Sequence, residues 1–178
     1  MRKTLIAPWT EQWGQLYEAE AGLLASVFAG QCIGMHHIGS TSVRAIGYAK
    51  PIIDILIVVR VIDDVDELNP RMIQLGYAPQ GEKGIAGRRY FSKGGDHRTH
   101  HVHVYQEGNP NIAAHLQFKA YLTEHPEEAR QYGELKLALA ERYPNEVHLY
   151  QSGKEAFCAN IVRKAAVWAA ERYGGGGR

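Results

Sequence analysis

The sequence has few cysteines, no long apolar run and almost no net charge. Its two cysteines, Cys32 and Cys158, lie far apart and form no CxxC pair. No apolar run reaches the roughly 18 residues that a membrane-spanning helix needs, and the N-terminus lacks a basic stretch followed by an apolar one. We therefore expect a cytoplasmic protein that has no membrane partner.

The small net charge limits the partners that the whole chain can attract. Twenty Lys and Arg residues against 19 Asp and Glu residues leave a formal charge of +1, so we do not expect a nucleic-acid partner. A hydrophobic content of 45% in 178 residues can form a substantial core, and no repeat or low-complexity linker divides the chain. We predict one domain over residues 1–173, followed by a flexible glycine-rich tail over residues 174–178.

Hydrophobic periodicity predicts one helix, then a group of strands, then helices to the end of the chain. The first helix is expected at residues 10–29. Strands are expected at residues 33–38, 51–59, 77–80, 88–93 and 99–106. The last two strands fit an antiparallel hairpin, and a short helix that Asp63 and Asp64 can cap connects the second strand to the third.

The remaining third of the chain carries helix-start signals. They are Asn109 with Pro110, His125 with Pro126, and a capping box formed by Ser152 and Glu155. This order of elements predicts an α+β fold, in which a mixed β-sheet packs against helices and a helical portion follows at the C-terminal end.

A small polar turn follows the first long strand. Gly39, Ser40, Thr41 and Ser42 can direct backbone N–H groups and hydroxyls at one point, and such an arrangement suits phosphate oxygens. An ordinary strand-to-helix turn with a Ser or Thr cap explains the same residues, and for a Gly-Ser pair alone that interpretation is favoured.

Asp54 is the one charged residue in the apolar run from Pro51 to Val59. A carboxylate in a buried strand is unfavourable unless a metal, a cation or several donors compensate it. A salt bridge to Lys50 or Arg44, or exposure at the strand end, would be sufficient. The functional interpretation is that Asp54 binds Mg²⁺, which takes one or two protein carboxylates together with water and phosphate oxygens.

Two histidines share one face of the last predicted strand. Strand alternation separates His101 and His103 from the intervening Val102. Such a pair binds Zn²⁺ or another transition metal when a third ligand such as Asp54 or Asp96 converges, and a hydrogen-bonded polar face is an equally good explanation. A hydrolytic metalloenzyme with Asp54, His101 and His103 as its three ligands is therefore one hypothesis.

These residues resemble a known family. The runs His37-Ile38-Gly39-Ser40-Thr41-Ser42-Val43 and Lys50-Pro51-Ile52-Ile53-Asp54-Ile55 closely resemble the signature of the GrpB-like family, also called UPF0157, of the nucleotidyltransferase-fold superfamily. The resemblance extends over nearly the whole chain, through Arg88-Arg89-Tyr90-Phe91 and His101-Val102-His103-Val104 to Tyr150 and Lys154.

The resemblance implies a nucleotidyltransferase-like sheet and a set of site residues. In the superfamily a Gly-Ser turn holds a triphosphate, and a strand carries two carboxylates for two metals. Gly39, Ser40 and Asp54 match that pattern, but Leu56 stands at the position of the second carboxylate, which weakens two-metal catalysis. His101 or His103 would take roughly the place of a third carboxylate.

Basic residues would complete the phosphate site. The candidate cations are Lys50, Arg88, Arg89, Arg98 and Lys154. Alternation lets only one of Arg88 and Arg89 face a ligand, and the resemblance favours Arg89 and Lys154. Together with Gly39, Ser40, Thr41 and Lys50 they form the predicted phosphate site, beside the predicted catalytic and metal-binding set of Asp54, His101 and His103.

The resemblance thus implies an enzyme that binds an NTP and a divalent metal and transfers a nucleotidyl group to a small-molecule acceptor. Mg²⁺ or Mn²⁺ is the expected metal, and Zn²⁺ or Ni²⁺ is the alternative at the histidines. Two further alternatives remain open. One is an ATP-dependent ligase that acts through an adenylate, and the other, which Leu56 favours, is a non-catalytic nucleotide- or metal-binding module.

Overall fold

A computed structural model of the chain describes residues 4–174, so residues 175–178 of the predicted tail lie outside the described residues. The described chain divides into two compact units. The sheet unit consists of residues Glu11–Gly39 and Ile52–Ile112, and the helical unit consists of residues 4–10, 40–51 and 113–174. A single domain over residues 1–173 stays a prediction.

The secondary structure has the predicted order, with two additional short strands. The strands are β1 (Ala7–Pro8), β2 (Cys32–Ile38), β3 (Tyr48–Ala49), β4 (Ile53–Val59), β5 (Tyr77–Pro79), β6 (Arg88–Lys93) and β7 (His100–Gln106). The α-helices are α1 (Gln12–Val27), α2 (Asn69–Gln74), α3 (Pro110–Glu124), α4 (Pro126–Arg142) and α5 (Val147–Tyr173). Short 3₁₀-helices cover Ser40–Ser42, Arg44–Ile46 and Asp63–Leu68.

The sheet unit is built on a five-stranded mixed sheet with strand order β2-β4-β7-β6-β5. Strands β4 and β7 are parallel, and the other neighbouring pairs are antiparallel. The hairpin of β6 and β7 is confirmed. The α+β prediction, a mixed sheet packed against helices with a helical C-terminal portion, is also confirmed.

Helix α1 covers one face of this sheet. Glu20 of α1 accepts a hydrogen bond from the hydroxyl of Tyr77 at 2.8 Å and pairs with Lys93 Nζ at 2.8 Å. Lys93 is the cross-strand neighbour of His100, so α1 lies on the face that carries Lys93 and His100. Because strand residues alternate between faces, the opposite face carries Asp54, His101 and His103.

The helical unit has its own apolar core. Its buried members come from residues 43–46 and from helices α3, α4 and α5, and they are Val43, Ile46, Tyr121, Leu122, Ala129, Tyr132, Ile161 and Ala165. Strands β1 and β3 pair antiparallel in the same unit. No helix among residues 4–174 is long and apolar enough to cross a membrane.

Two predicted helix starts are wrong. Asp63 and Asp64 make no capping hydrogen bond at the start of the Asp63–Leu68 segment, because their carboxylates bind Arg89 and Gln31 instead. Ser152 and Glu155 lie inside α5, which already begins at Val147. The prediction at Asn109 is confirmed, since its Oδ1 accepts the Asn111 N–H at 2.9 Å.

Gly133 permits the close packing of α4 in the helical unit, because a Cβ there would overlap the backbone carbonyl oxygen of Ile46. A backbone oxygen cannot move aside as a flexible side chain can. We predict that Gly133→Ala lowers the free energy of unfolding by at least about 3 kcal/mol, as measured by urea denaturation. Gly22→Ala is the control, since nothing lies within 4 Å of a Cβ at that helical glycine, and it should raise stability by about 0.5–1 kcal/mol. Equal effects of the two substitutions would contradict this explanation.

Candidate functional site

The parallel register of β4 and β7 brings three polar side chains together. Asp54 is the direct neighbour of His101, and Leu56 is the neighbour of His103. The Nδ1 atom of His101 lies 3.2 Å from Asp54 Oδ1, and the Nε2 atom of His103 lies 3.4 Å from the same oxygen. We call Asp54, His101 and His103 the carboxylate–dihistidine cluster. The sequence predicted this grouping, and the structure supplies its geometry.

Asp54 is ionised within this cluster. Burial alone would raise the pKa of the Asp54 carboxyl, but the hydrogen bonds and positive potential of the two histidines outweigh that effect and hold the pKa well below its ordinary value. An ionised carboxylate only accepts hydrogen bonds. His101 Nδ1 and His103 Nε2 therefore both carry protons and donate to Asp54 Oδ1.

The hydrogen bond to Asp54 determines which nitrogen of His101 can accept a proton. When Nδ1 of the neutral imidazole is protonated, the lone pair resides on Nε2. Nε2 of His101 makes no hydrogen bond within residues 4–174, and the side chain keeps 25% of its surface exposed. His103 is more enclosed, with 14% exposed. His101 is therefore the histidine that is better placed to exchange a proton with a ligand.

Gly39 lies directly against the carboxylate of Asp54. Its φ of +72° is in the left-handed region, and a Cβ at this position would lie 2.8 Å from Asp54 Oδ2. Both the backbone angle and the close approach require glycine. The 3₁₀-helix Ser40–Ser42 follows immediately along the chain, so the predicted turn is present and begins at the cluster.

Tyr90 on β6 is a neighbour of both histidines. It pairs across the strands with His103, and its ring centroid lies 5.5 Å from that of His101 and 5.2 Å from that of His103. Tyr90 was not among the predicted site residues. Strand alternation could have indicated Tyr90, because the cross-strand partner of His103 has to lie on the same face of the sheet.

The other predicted phosphate-binding residues, except Arg89, belong to the helical unit. Lys50 Nζ and Lys154 Nζ lie 4.2 Å and 5.0 Å from the ring centroid of the buried Tyr150. The hydroxyl of Ser40 shares a hydrogen bond with the buried Tyr132. Thr41 is buried, and its carbonyl accepts the indole N–H of Trp9 at 3.0 Å. Two of the predicted cations thus meet at one aromatic ring.

Arg89 does not lie beside the cluster. It is the cross-strand partner of Val104, so it occupies the face opposite His103. There its guanidinium binds the carboxylates of Asp66 at 2.7 Å and Asp63 at 3.2 Å. The expectation that Arg89, and not Arg88, faces the ligand is therefore corrected, because alternation places Arg88 on the face of the histidines.

The donor groups of the cluster do not fit a pair of Mg²⁺ ions. Leu56 is fully buried at the position where a second carboxylate would be needed, and both imidazoles are bonded to the single carboxylate. Within residues 4–174, no group of three or more His, Cys, Asp or Glu side chains is arranged to hold a metal ion. One carboxylate with two imidazoles would suit a transition metal better than Mg²⁺. Such a metal stays a prediction, and His101 Nδ1 and His103 Nε2 would both have to lose their protons to bind it.

Fold and site together define a mixed α+β protein with a carboxylate–dihistidine cluster on one face of a five-stranded sheet. The chain belongs to the GrpB family, whose profile, described as GrpB protein, matches residues 3–164. The UPF0157 protein YqkA of Bacillus subtilis is 46% identical over 167 residues, which are 94% of this chain and 48% of that protein. The glutamate-rich protein GrpB of Alkalihalophilus pseudofirmus is 32% identical, over 91% of this chain and 95% of that protein.

The solved structures include a similar fold. The crystal structure of the conserved protein GrpB from Enterococcus faecalis has a TM-score of 0.87 at 40% identity and covers 90% of this chain and 96% of that one. The Cid1 poly(U) polymerase reaches a TM-score of 0.46 at 10% identity, a likeness too low to support an argument. The chain spans about half the length of YqkA and 66% of a UPF0157 protein of Pseudomonas aeruginosa.

Two glycines with similar backbone angles test the contact between Gly39 and Asp54. Gly30 has a φ of +85° and nothing within 4 Å of a Cβ, whereas a Cβ at Gly39 would meet Asp54 Oδ2. Gly30→Ala should cost about 1–2 kcal/mol of stability through its left-handed backbone alone. Gly39→Ala should cost more, because the Asp54 carboxylate also has to move. Thermal unfolding of both variants measures the difference, and equal losses would show that the contact is unimportant.

The lowered pKa of Asp54 predicts a pH dependence of stability. A folded-state pKa below that of the unfolded chain, which is about 3.9 for Asp, stabilises the fold at higher pH, and this contribution is lost as pH falls through the acid range. Between pH 5 and pH 3 the wild-type protein should therefore lose more unfolding free energy than Asp54→Asn, which has no carboxylate to protonate. Urea denaturation at several pH values measures this, and parallel losses in the two proteins would contradict it.

Proposed function

We propose that this protein is a nucleotidyltransferase-like enzyme that uses the Asp54–His101 pair for proton transfer. The observation that carries the proposal is the 3.2 Å contact between His101 Nδ1 and Asp54 Oδ1. The two histidines also hold the pKa of that carboxyl below its ordinary value, which is consistent with this role. A carboxylate that holds an imidazole in one tautomer is a common arrangement for a general base. Membership of the GrpB family supports a nucleotidyltransferase-like enzyme only because that family resembles the nucleotidyltransferase-fold superfamily.

The proposed reaction is attack of an acceptor hydroxyl or amine on the α-phosphorus of an NTP. His101 Nε2 accepts the acceptor's proton as the new bond to phosphorus forms. The bond between the α-phosphorus and the bridging oxygen breaks, and pyrophosphate leaves with the electron pair of that bond. Asp54 remains ionised throughout and stabilises the imidazolium that forms. His103 donates a second hydrogen bond to Asp54 and so helps to hold the carboxylate in place.

The predicted glycine-serine turn would bind the triphosphate. Gly39 begins the turn, and the Ser40 hydroxyl follows it in the chain. Lys50 and Lys154, which share the ring of Tyr150 within the helical unit, stay predicted phosphate-binding cations. We count the Mg²⁺ that accompanies an NTP as part of the substrate. We expect the reaction to take place in the cytoplasm.

Label transfer tests this proposal. The purified protein is incubated with α-³²P-labelled ATP or GTP, Mg²⁺ and a small-molecule cell extract as the source of acceptor, and labelled product and pyrophosphate are measured. We expect both products from the wild type. His101→Gln should reduce the rate about 10²- to 10⁴-fold, the usual contribution of a positioned acid–base group, and Asp54→Asn should also slow it, because it disturbs the tautomer of His101.

His148→Gln is the matched control, because His148 is an exposed histidine in the helical unit, and it should retain the wild-type rate. An unchanged rate in His101→Gln would remove this histidine from the mechanism. Pyrophosphate that is released only when a carboxylic acid is present would instead identify a ligase that acts through an adenylate.

Leu56 favours a second candidate function, a nucleotide-binding module without turnover. It is fully buried beside His103, where the superfamily pattern expects a carboxylate. Isothermal titration with ATP and GTP in the presence of Mg²⁺ would then give binding heats, while the nucleotide stays unchanged after long incubation. Labelled product would exclude this candidate.

A further inference from the structure

Two cations border the sheet face that carries the carboxylate–dihistidine cluster. Lys83 Nζ lies 4.4 Å from the ring centroid of Tyr90, the residue that contacts both histidines. Two residues further along the same strand and on the same face, Ser92 accepts a hydrogen bond from Arg98, and Ser92 is the direct cross-strand partner of His101. Tyr90 thus lies between Lys83 and His103, and Ser92 lies between Arg98 and His101. All of these residues belong to the sheet unit.

The position of Lys83 is imposed by its loop. Arg88, which is buried, donates hydrogen bonds to the carbonyls of Glu82 at 3.1 Å and Lys83 at 2.9 Å. Lys83 is the one residue other than glycine that has a positive φ among residues 4–174, at 45°. A side chain other than glycine rarely takes this conformation unless its surroundings require it. The loop therefore holds Lys83 at Tyr90 at a cost in backbone strain.

Lys83 and Arg98 have no acidic partner in the part of the chain that the structure describes. Within residues 4–174 neither Lys83 nor Arg98 forms an ion pair, and the nearby Glu82 side chain accepts the backbone N–H of Gly87 instead. Burial, followed by the charges of Arg98 and Arg88, lowers the pKa of the Lys83 amine. Like charges that lie close together without an acidic partner are stabilised when an anion binds between them.

We propose that Lys83 and Arg98 bind the phosphate group of a phosphorylated acceptor, and so hold that acceptor beside His101. The identity of the ligand as the acceptor rests on the proposed nucleotidyl transfer, whereas the anion site itself does not. Two cations match the two negative charges of a phosphate monoester, and the planar guanidinium of Arg98 can donate two parallel hydrogen bonds to it. Tyr90 contacts both Lys83 and the imidazoles, so a phosphate held at Lys83 is kept apart from the reacting hydroxyl.

Phosphate titration of the whole protein tests the site without any nucleotide. Inorganic phosphate is added at constant ionic strength, and amide shifts in ¹H–¹⁵N spectra give both the dissociation constant and the position of binding. We expect shifts at Gly84, Gly87 and Tyr90. Arg98→Gln and Lys83→Asn should each weaken this binding by about tenfold or more, the usual loss for one charge-assisted hydrogen bond. Asparagine is chosen because it tolerates the left-handed backbone, so Lys83→Asn should leave the melting temperature equal or higher.

Arg60→Gln is the matched control. Arg60 is exposed and follows the end of β4 that is remote from Asp54, and its loss removes the same charge. Unchanged binding in Arg60→Gln with weakened binding in the other two variants supports the site. Equal weakening in all three variants, or wild-type affinity in Lys83→Asn and Arg98→Gln, overturns it.

The acceptor assignment is separable from the proposed function. If the wild type transfers label, Lys83→Asn and Arg98→Gln should raise the KM for a phosphorylated acceptor while they leave the affinity for NTP unchanged, and an unchanged KM overturns the assignment. If the wild type transfers no label but the phosphate site is present, the proposed transfer fails and the anion site stands.

Discussion

The carboxylate of Asp54 has to be compensated, because it projects from a strand whose other residues are almost all buried and apolar. Two imidazole N–H groups supply that compensation, and they can do so only when β4 and β7 are parallel and in the observed register. Several other features depend on the same contact. Gly39 has to be glycine because the carboxylate occupies the space of a Cβ, and the tautomers of both histidines follow from the ionised state of Asp54.

The carboxylate–dihistidine cluster differs from a two-metal site in the groups that compensate the carboxylate. A second carboxylate on β4 would attract a second cation, but Leu56 is buried there and His103 takes the adjacent position. The groups that compensate the carboxylate are protein side chains instead: the imidazole N–H groups of His101 and His103 on β7. The cations Lys83 and Arg98 lie at Tyr90 and Ser92. This face therefore combines a single carboxylate with two imidazoles, and cations lie at its border.

Local sequence patterns predicted the helices and strands better than they predicted the side chains that cap the helices. The apolar run from Pro51 to Val59 was recognisable as a buried strand, because β-branched residues have few other stable placements. The capping box at Ser152 was wrong, because Val147 and the residues after it extend α5 upstream of that signal. Strands β1 and β3 were missed, since two residues carry no detectable period.

The sequence alone determined that a carboxylate would lie in an apolar strand, that two histidines would share one strand face, and that a glycine-serine turn would follow the first long strand. These are properties of spacing within one segment. Tertiary structure decided which segments meet: that His101 stands beside Asp54, that Arg89 turns to Asp66 on the opposite face, and that Lys83 reaches Tyr90. Strand order and register set such contacts, and they depend on the packing of the whole sheet, which no single segment encodes.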